Sequence, residues 1–340
     1  MSVARERAKR AWRGSARRAG GAWIGCDVGG QSVKAVLLAG DRTVLAETGR
    51  PTGLDIDAER LVATLADVCE TLSATPDAPV VDANVGVGIA GVMARDGVLA
   101  GSPNLPLLVG ERVRSVLESG LGRPVAIDND ANCAALAEGW GGGAAGARDF
   151  LLVTLGSGIG SGLVLGGELW HGATGYACEL GHTVVARGGR PCGCGNLGCL
   201  EAYASESAAR SFVAESSGEL ATRVERCIVE KGHGYAQALF ALADAGDVAA
   251  EKIVATMVST LGVGLASAVN LLDVPTIVIG GGIAPAVLGR ERELREAMDA
   301  SLFARSESTV ALLAASCGAD AGAVGAARLA MLAAQAGASR

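Results

Sequence analysis

Short apolar runs punctuated by glycine clusters alternate along this chain with longer stretches in which apolar residues recur every three or four positions. Residues 23–38, WIGCDVGGQSVKAVLL, read as a strand, a Gly turn and a second strand, a β-hairpin with Asp27 at the end of its first strand. Residues 150–165, FLLVTLGSGIGSGLVL, repeat the plan, which suggests two domains built on one scheme, each offering its turn to a common cleft. Between the hairpins, Ala58 to Thr75 has helical spacing, Val85 to Ile89 is a strand and Glu111 to Leu121 a helix. Val125 to Ile127 is a strand that ends at Asp128, Asn129 and Asp130, and Asn132 to Trp140 is a helix. Further on, Val248 to Leu272 is a long Ala-rich helix, Thr276 to Ile279 a buried strand before Gly280–Gly282, and Asp320 to Gln335 a last Ala-rich helix. Strands alternating with helices predict an α/β fold with sheets covered by helices.

Composition refines this picture. The chain has 340 residues, enough for two domains, and 50% of them are apolar but only 3% aromatic, so its cores must be built from Ala, Val, Leu and Ile. Its 50 glycines lack a collagen period and sit in clusters, which points to tight turns and close backbone approaches. Phe150 to Gly167 carries no charge over 18 residues, but six of them are Gly, so strand–turn–strand is the reading rather than a membrane helix.

The net charge of −7 is uneven: residues 1–20 carry +6, which leaves −13 on the rest. An acidic body argues against a nucleic-acid groove. The arm, residues 1–21, reads as a basic disordered tail; an anion-binding arm and an organelle transit peptide are the alternatives. No apolar segment follows it, so a secretory signal is not expected. Nine Cys, three of them clustered, suggest a reducing, cytoplasmic setting, with Cys26, Cys69, Cys133, Cys178, Cys227 and Cys317 as small buried hydrophobes.

The richest chemistry lies between His182 and Glu201, HTVVARGGRPCGCGNLGCLE. His182, Cys192, Cys194 and Cys199 supply three thiolates and an imidazole, a donor set that suits tetrahedral Zn²⁺ with a closed, structural shell. The alternative is a Gly-rich loop with incidental thiols. Such a clamp would pin a loop that carries polar groups, and Glu179 and Glu201 flank it. The two hairpin turns are candidate phosphate cradles, since successive N–H groups in a Gly turn form an anion-binding concavity. Asp27 beside the first could hold Mg²⁺ through water. Neither turn is a Walker A or a dinucleotide fingerprint, and either could be an ordinary hairpin. IDNDANCAALAEG places Asp128, Asn129, Asp130 and Asn132 at a strand end and helix start, where one residue would suffice as a cap. A carboxylate there could take the proton of an attacking hydroxyl in phosphoryl transfer. Asn104, in SPNLP, is an amide on a proline-stiffened loop.

These pieces together make the chain resemble the ROK family, whose name stands for repressors, open reading frames and kinases. The resemblance covers roughly residues 22–330 and rests on Cys192-x-Cys194-Gly-x-x-Gly-Cys199-x-Glu201 with Glu179-Leu-Gly-His182, on DVGG at 27–30, SPNLP at 102–106, DNDAN at 128–132, LGSGIGSG at 155–162, IGGG at 279–282 and GADAGAVGAA at 318–327. It implies a two-domain α/β fold like those of actin and hexokinase, of the ribonuclease H-like kind, with a structural zinc loop. The expected domains are 22–128 joined by the C-terminal helix 320–337, and 129–319 with the zinc motif. It further implies an ATP-dependent kinase for the 6-hydroxyl of glucose, or of another hexose such as N-acetylglucosamine, N-acetylmannosamine, mannose or fructose. Asp130 would be the general base, and Asn104, Asn129, Glu179, His182 and Glu201 would bind the sugar, with His182 serving zinc as well. Asp27, Gly29, Gly30, Gln31, Ser32, Gly156, Ser157, Gly158 and Gly160 would face the phosphates and Mg²⁺, and Gly281 and Gly282 the adenosine. A homodimer or homotetramer is expected. The family's usual DxGGT turn carries Gln31 and Ser32 here, with Lys34 later, which puts the γ-phosphate contacts in doubt. A sugar-sensing repressor is the rival, but about 22 residues before Trp23 are too few for a helix-turn-helix module.

Overall fold

The computed structural model describes residues 21–303 and 310–338. The basic arm, but for its last residue Gly21, therefore lies outside the described residues. Twelve strands appear among them: β1 (Ala22–Val28), β2 (Ser32–Ala39), β3 (Val44–Pro51), β4 (Val81–Ile89), β5 (Val92–Met93), β6 (Leu99–Gly101), β7 (Val125–Asn129), β8 (Phe150–Leu155), β9 (Ile159–Leu165), β10 (Glu168–Leu169), β11 (Thr276–Gly280) and β12 (Ala311–Ala314). The helices are α1 (Ala58–Ser73), α2 (Val113–Leu121), α3 (Asp130–Gly141), α4 (Glu201–Ala204), α5 (Glu206–Glu215), α6 (Gly218–Lys231), α7 (Tyr235–Asp244), α8 (Val248–Leu272), α9 (Ala284–Leu288), α10 (Glu291–Ser301) and α11 (Ala321–Ala338). Five strands and six helices, β3, β5, β6, β10, β12, α4, α5, α6, α7, α9 and α10, add to the elements expected from the pattern.

The chain divides into two compact units, one from the described parts of Met1–Arg148, Gly162–Cys178 and Ala315–Arg340, the other from Asp149–Ser161 and Glu179–Ala314. In the first, the sheet order is β3-β2-β1-β4-β7. The expected hairpin is present: β1 pairs β2 antiparallel, with Asp27 opposite Lys34. β4 and β7 then add in parallel, and one register row runs Asp27, Gly88, Asp128. Ile24, Leu37, Leu61, Leu65, Val85, Val87 and Leu117 form a closed aliphatic core between this sheet, α1 and α2. Each such side chain contributes about 1.5–3 kcal/mol of transfer free energy against the entropy of ordering it.

The sheet's other face is covered by α11, and glycine explains how closely. A Cβ on Gly25 would overlap the backbone of Ala323 and Ala327, and one on Gly86 would overlap Ala326. Gly325 stands in the same way against the carbonyl of Cys133 in α3. α3, expected beyond a boundary at residue 129, packs against α11 within the first unit. Glu138 of α3, 1% exposed, fixes the chain entering α11: it accepts from Ser316 N at 3.0 Å and Cys317 N at 2.8 Å.

The second sheet has the order β10-β9-β8-β11-β12, with β8, β11 and β12 parallel. The charge-free run from Phe150 is β8 and β9, as expected. α8 begins at Asp247, whose carboxylate accepts from Ala249 N and Ala250 N, and ends at Asp273 in the left-handed region. It alone among the described helices is long and apolar enough to cross a membrane, yet half of its apolar window is buried, as for a core helix. Cys26, Cys69, Cys133 and Cys227 are buried as expected, whereas Cys178 and Cys317 are only partly so, because both lie in chain connections rather than inside sheets or helices.

Candidate active site and metal cluster

In the first unit, the turn after β1 is closed by Gly29 N donating to Ser32 O at 3.0 Å. Thr52, the residue after β3, braces it, its hydroxyl donating to Gly29 O at 2.7 Å and its N–H to Gln31 O at 3.1 Å. A Cβ on Gly30 would lie 2.9 Å from the Asn104 carbonyl oxygen, so the Asn104 backbone lies close against the turn after β1. Ser102, the buried residue ahead of Asn104, fixes that loop by donating to Ala90 O at 2.6 Å and accepting from Leu105 N at 3.0 Å. Asp27 sits where the first turn of α11 arrives: a Cβ on Gly322 would be 2.7 Å from its carboxylate. Burial pushes the Asp27 carboxyl up from 3.8 to about 6, with Lys34 opposing the shift and Asp320 adding to it. Lys34 itself donates to Ala319 O at 3.2 Å, just before α11.

The polar cluster after β7 divides its labour. Asn129 is the cap of α3, accepting from Ala131 N at 2.8 Å and Asn132 N at 3.1 Å. Its Nδ2 donates to Gly91 O at 2.9 Å, which leaves one amide hydrogen for a ligand. Asp130, the first helical residue, accepts from Ala131 N at 2.9 Å. Asp128 is buried and bonds elsewhere: His171 Nε2 lies 2.6 Å from its Oδ2, and Asn132 Nδ2 donates to Oδ1 at 2.8 Å. His171 was not singled out from the sequence.

In the second unit the two remaining Gly turns lie together. β8 and β11 pair in parallel up to Thr154 and Gly280. Beyond that row Ile283 N donates to Leu155 O at 3.2 Å, and Gly281, at φ +88°, has no room for a Cβ against Leu155. The Gly156–Gly160 turn is held by Glu206 N to Gly156 O at 2.9 Å and Ser207 N to Ser157 O at 3.2 Å. Glu206 also accepts from the first N–H groups of α7, on Tyr235 and Ala236, and Gln237 of α7 donates to Gly282 O at 2.8 Å. One helix N-terminus thus ties both turns, an arrangement that the sequence reading missed because the partners lie 29 or more residues apart.

The four expected metal residues converge. One ligand atom each from His182, Cys192, Cys194 and Cys199 lies within 4.8 Å of the others. Cys194 Sγ and Cys199 Sγ are 3.7 Å apart, as are Cys192 Sγ and His182 Nδ1. Thiolates bound at about 2.3 Å to a tetrahedral zinc would stand roughly 3.8 Å apart, so donor types and spacing fit such an ion. The loop is folded by short bridges between Val184 and Cys199 and between Pro191 and Leu197. Burial pushes the Cys192 thiol up to about 12, while the Asn196 backbone N–H holds Cys194 below its ordinary value.

The cluster reaches the Gly156–Gly160 turn through one residue. Glu201 Oε1 lies 3.6 Å from Cys192 Sγ, and its Oε2 accepts from Ile159 N at 2.9 Å. Glu179 faces the same place: burial raises its carboxyl, His182 opposes that shift and Glu201 adds to it. The turn carrying Glu179 and His182 is seated by Leu180 N donating to Ser161 Oγ at 3.1 Å. Within each unit, then, the expected residues gather: Asp27, Gly30, Asn104, Asn129 and Asp130 at the carboxyl ends of parallel strands in one, and Glu179, His182, Glu201 and the Gly turns in the other.

Residues 23–333 match the ROK family. The chain is 33% identical to a glucokinase from Halalkalibacterium halodurans, over 89% of this chain and 93% of that one. The solved structure of a ROK hexokinase from Thermus thermophilus is 34% identical and superimposes with a TM-score of 0.76, covering 93% of this chain and 99% of that one. A ROK family glucokinase from Streptomyces griseus, solved with glucose and AMPPNP, is 29% identical with a TM-score of 0.75, covering 92% of this chain and all of that one. Similar proteins also include a xylose repressor from Caldicellulosiruptor bescii, 28% identical over 76% of this chain and 65% of that one. The chain belongs to the ROK family, with its two-unit α/β sugar kinase fold.

Proposed function

We propose that the protein is a cytoplasmic ATP-dependent glucokinase that transfers the γ-phosphoryl group of MgATP to the 6-hydroxyl of glucose. One observation carries the reading. Asp27 and Asp128 share a register row across the parallel strands β1, β4 and β7. With strands about 4.8 Å apart, the Mg²⁺-side carboxylate and the Asp128–Asp130 segment stand roughly 10 Å apart, room for a phosphoryl group and an acceptor hydroxyl. In open α/β sheets, ligands bind at this end of the strands.

Asp130 accepts the proton of the sugar hydroxyl as the new O–P bond forms and the bond to the departing ADP breaks. Asn104, Asn129, Glu179, His182 and Glu201 hold the sugar hydroxyls. Asp27, Gly29, Gly30, Gln31 and Ser32 face the phosphates and Mg²⁺, with Gly156, Ser157, Gly158 and Gly160, and Gly281 and Gly282 lie by the adenosine. Zn²⁺ on His182, Cys192, Cys194 and Cys199 serves as a structural centre, and with Nδ1 turned to Cys192 the His182 ring keeps Nε2 for a sugar hydroxyl. The protein works as a homodimer or homotetramer and binds no nucleic acid.

The similarity to a glucokinase solved with glucose and AMPPNP supports this reading. A sugar-sensing protein without turnover is the second reading, favoured by the likeness to a xylose repressor. Asp130→Asn separates them. Wild type that turns over glucose with MgATP, and a variant that binds glucose within about threefold of wild type but has lost turnover, supports a kinase with Asp130 as base. Wild type that binds glucose without turning it over supports the sensor.

A further inference from the structure

Asp128 is 6% exposed and has no part in the proposed chemistry, yet both of its carboxylate oxygens are bonded. Its Oδ1 accepts from Asn129 N at 2.7 Å and from Asn132 Nδ2 at 2.8 Å. Its Oδ2 takes His171 Nε2 at 2.6 Å, across 43 residues of chain. His171 lies in the connection after β10, and this connection is fastened a second time. Arg95, between β5 and β6, places its guanidinium on Gly172 O and donates its backbone N–H to Thr174 O at 3.1 Å. Gly175, at φ +102°, fits against Met93 O where a Cβ would come within 2.6 Å. The circle closes through Asn129, whose Nδ2 sits on Gly91 O. Three segments, 91–95, 128–132 and 169–175, are thereby locked around the residues to which sugar orientation and proton transfer are assigned.

We propose that His171, charge-paired with Asp128, is a positioning residue for Asn129 and Asp130, fixing the strand end that presents the base and neutralising the second carboxylate beside it. This rests on the kinase reading above. The Asp128 carboxylate holds the His171 imidazole above its ordinary value, while burial and Arg95 act the other way. The groups facing His171 are thus Asp128 from β7 and Arg95 from the β5–β6 connection. A buried carboxylate left without its cation would either take up a proton and weaken the Asn129 and Asn132 contacts, or stay charged and make ionisation of Asp130 harder. Both outcomes impair the base and leave the nucleotide turns of the second unit untouched.

The test compares wild type, His171→Gln and His171→Ala in the full chain, with glucose and MgATP as probes. Gln keeps a hydrogen-bond donor and loses the charge. In His171→Gln we expect an unfolding midpoint near that of wild type and an unchanged KM for MgATP. We expect kcat lower by about tenfold or more, as for a displaced catalytic group, with the acid limb of its pH profile moved to higher pH. His171→Ala should lose more. Wild-type turnover with unaltered kcat and pH profile in His171→Gln, or a defect confined to the KM for MgATP, overturns the assignment. So does full recovery of kcat by Gln relative to Ala, since the charge would then have no role. Absence of turnover in wild type with every hexose overturns the kinase reading, and this inference with it.

Discussion

Asp27→Asn should make the protein more stable and inactive at once. The carboxyl is raised from 3.8 to about 6, chiefly because β1 and α11 remove it from water. A difference of roughly two pH units corresponds to about 3 kcal/mol between the ionised and protonated forms. The direction follows from proton binding. Between pH 4 and 6 the folded chain keeps a proton on Asp27 that the unfolded chain has released, so wild type loses stability as pH rises through this window. Below pH 4 the carboxyl is neutral in both states and resembles Asn. The gap between variant and wild type should therefore be near zero at pH 4 and reach about 3 kcal/mol at pH 8. At a urea slope of about 3 kcal/mol/M, this is a midpoint shift of about 1 M for the unit that contains β1. Urea unfolding of both proteins from pH 4 to pH 8 reads it directly, because other titrating groups cancel in the difference. Turnover should be lost in the variant, the usual exchange of stability for a charged functional site. A variant less stable than wild type at pH 8, or a gap that does not change with pH, would refute the argument that desolvation dominates at this carboxylate.

Other outcomes follow from the same geometry. Cys194→Ser should remove one metal ligand, lower metal content in elemental analysis and weaken glucose binding through His182. Unchanged metal content would reject the assignment. Metal affinity should fall steeply in acid, because three thiols must lose protons on binding, and proton release on titration with Zn²⁺ measures this. Gly158→Ala would place a Cβ on Glu201 Oε2, a flexible carboxylate that can move aside and give up Ile159 N. That is worth about 1.5–3 kcal/mol, so glucose affinity should fall by about tenfold or more in calorimetry, with the fold intact. Equal affinity would exclude a role for that contact in sugar binding.

What could be read from the sequence was what is local. The hairpin that carries Asp27, the long α8 and the four metal ligands are each written within a few dozen residues, because strand alternation, helical period and thiol spacing are local signals. The DNDAN segment was legible only as a group. Which residue caps the helix and which does other work depended on partners outside it: Gly91 for Asn129 and His171 for Asp128. The same holds for Glu206, which joins the Gly156 turn to α7, and for Glu138, which fixes the entrance to α11 from 178 residues away. Glycine was the more instructive residue. Its abundance was read as tight turns and close backbone approaches without placing them; Gly25 and Gly86 serve a helix–sheet contact and Gly325 a helix–helix contact whose closeness no local pattern announces.

The central claim is phosphoryl transfer from MgATP to a hexose. A coupled ADP-release assay with glucose, N-acetylglucosamine, N-acetylmannosamine, mannose and fructose tests it most directly. Turnover with glucose at a kcat/KM well above the other sugars is the result the account predicts. Zinc-loaded protein that binds glucose yet releases no ADP with any of the five sugars would contradict it.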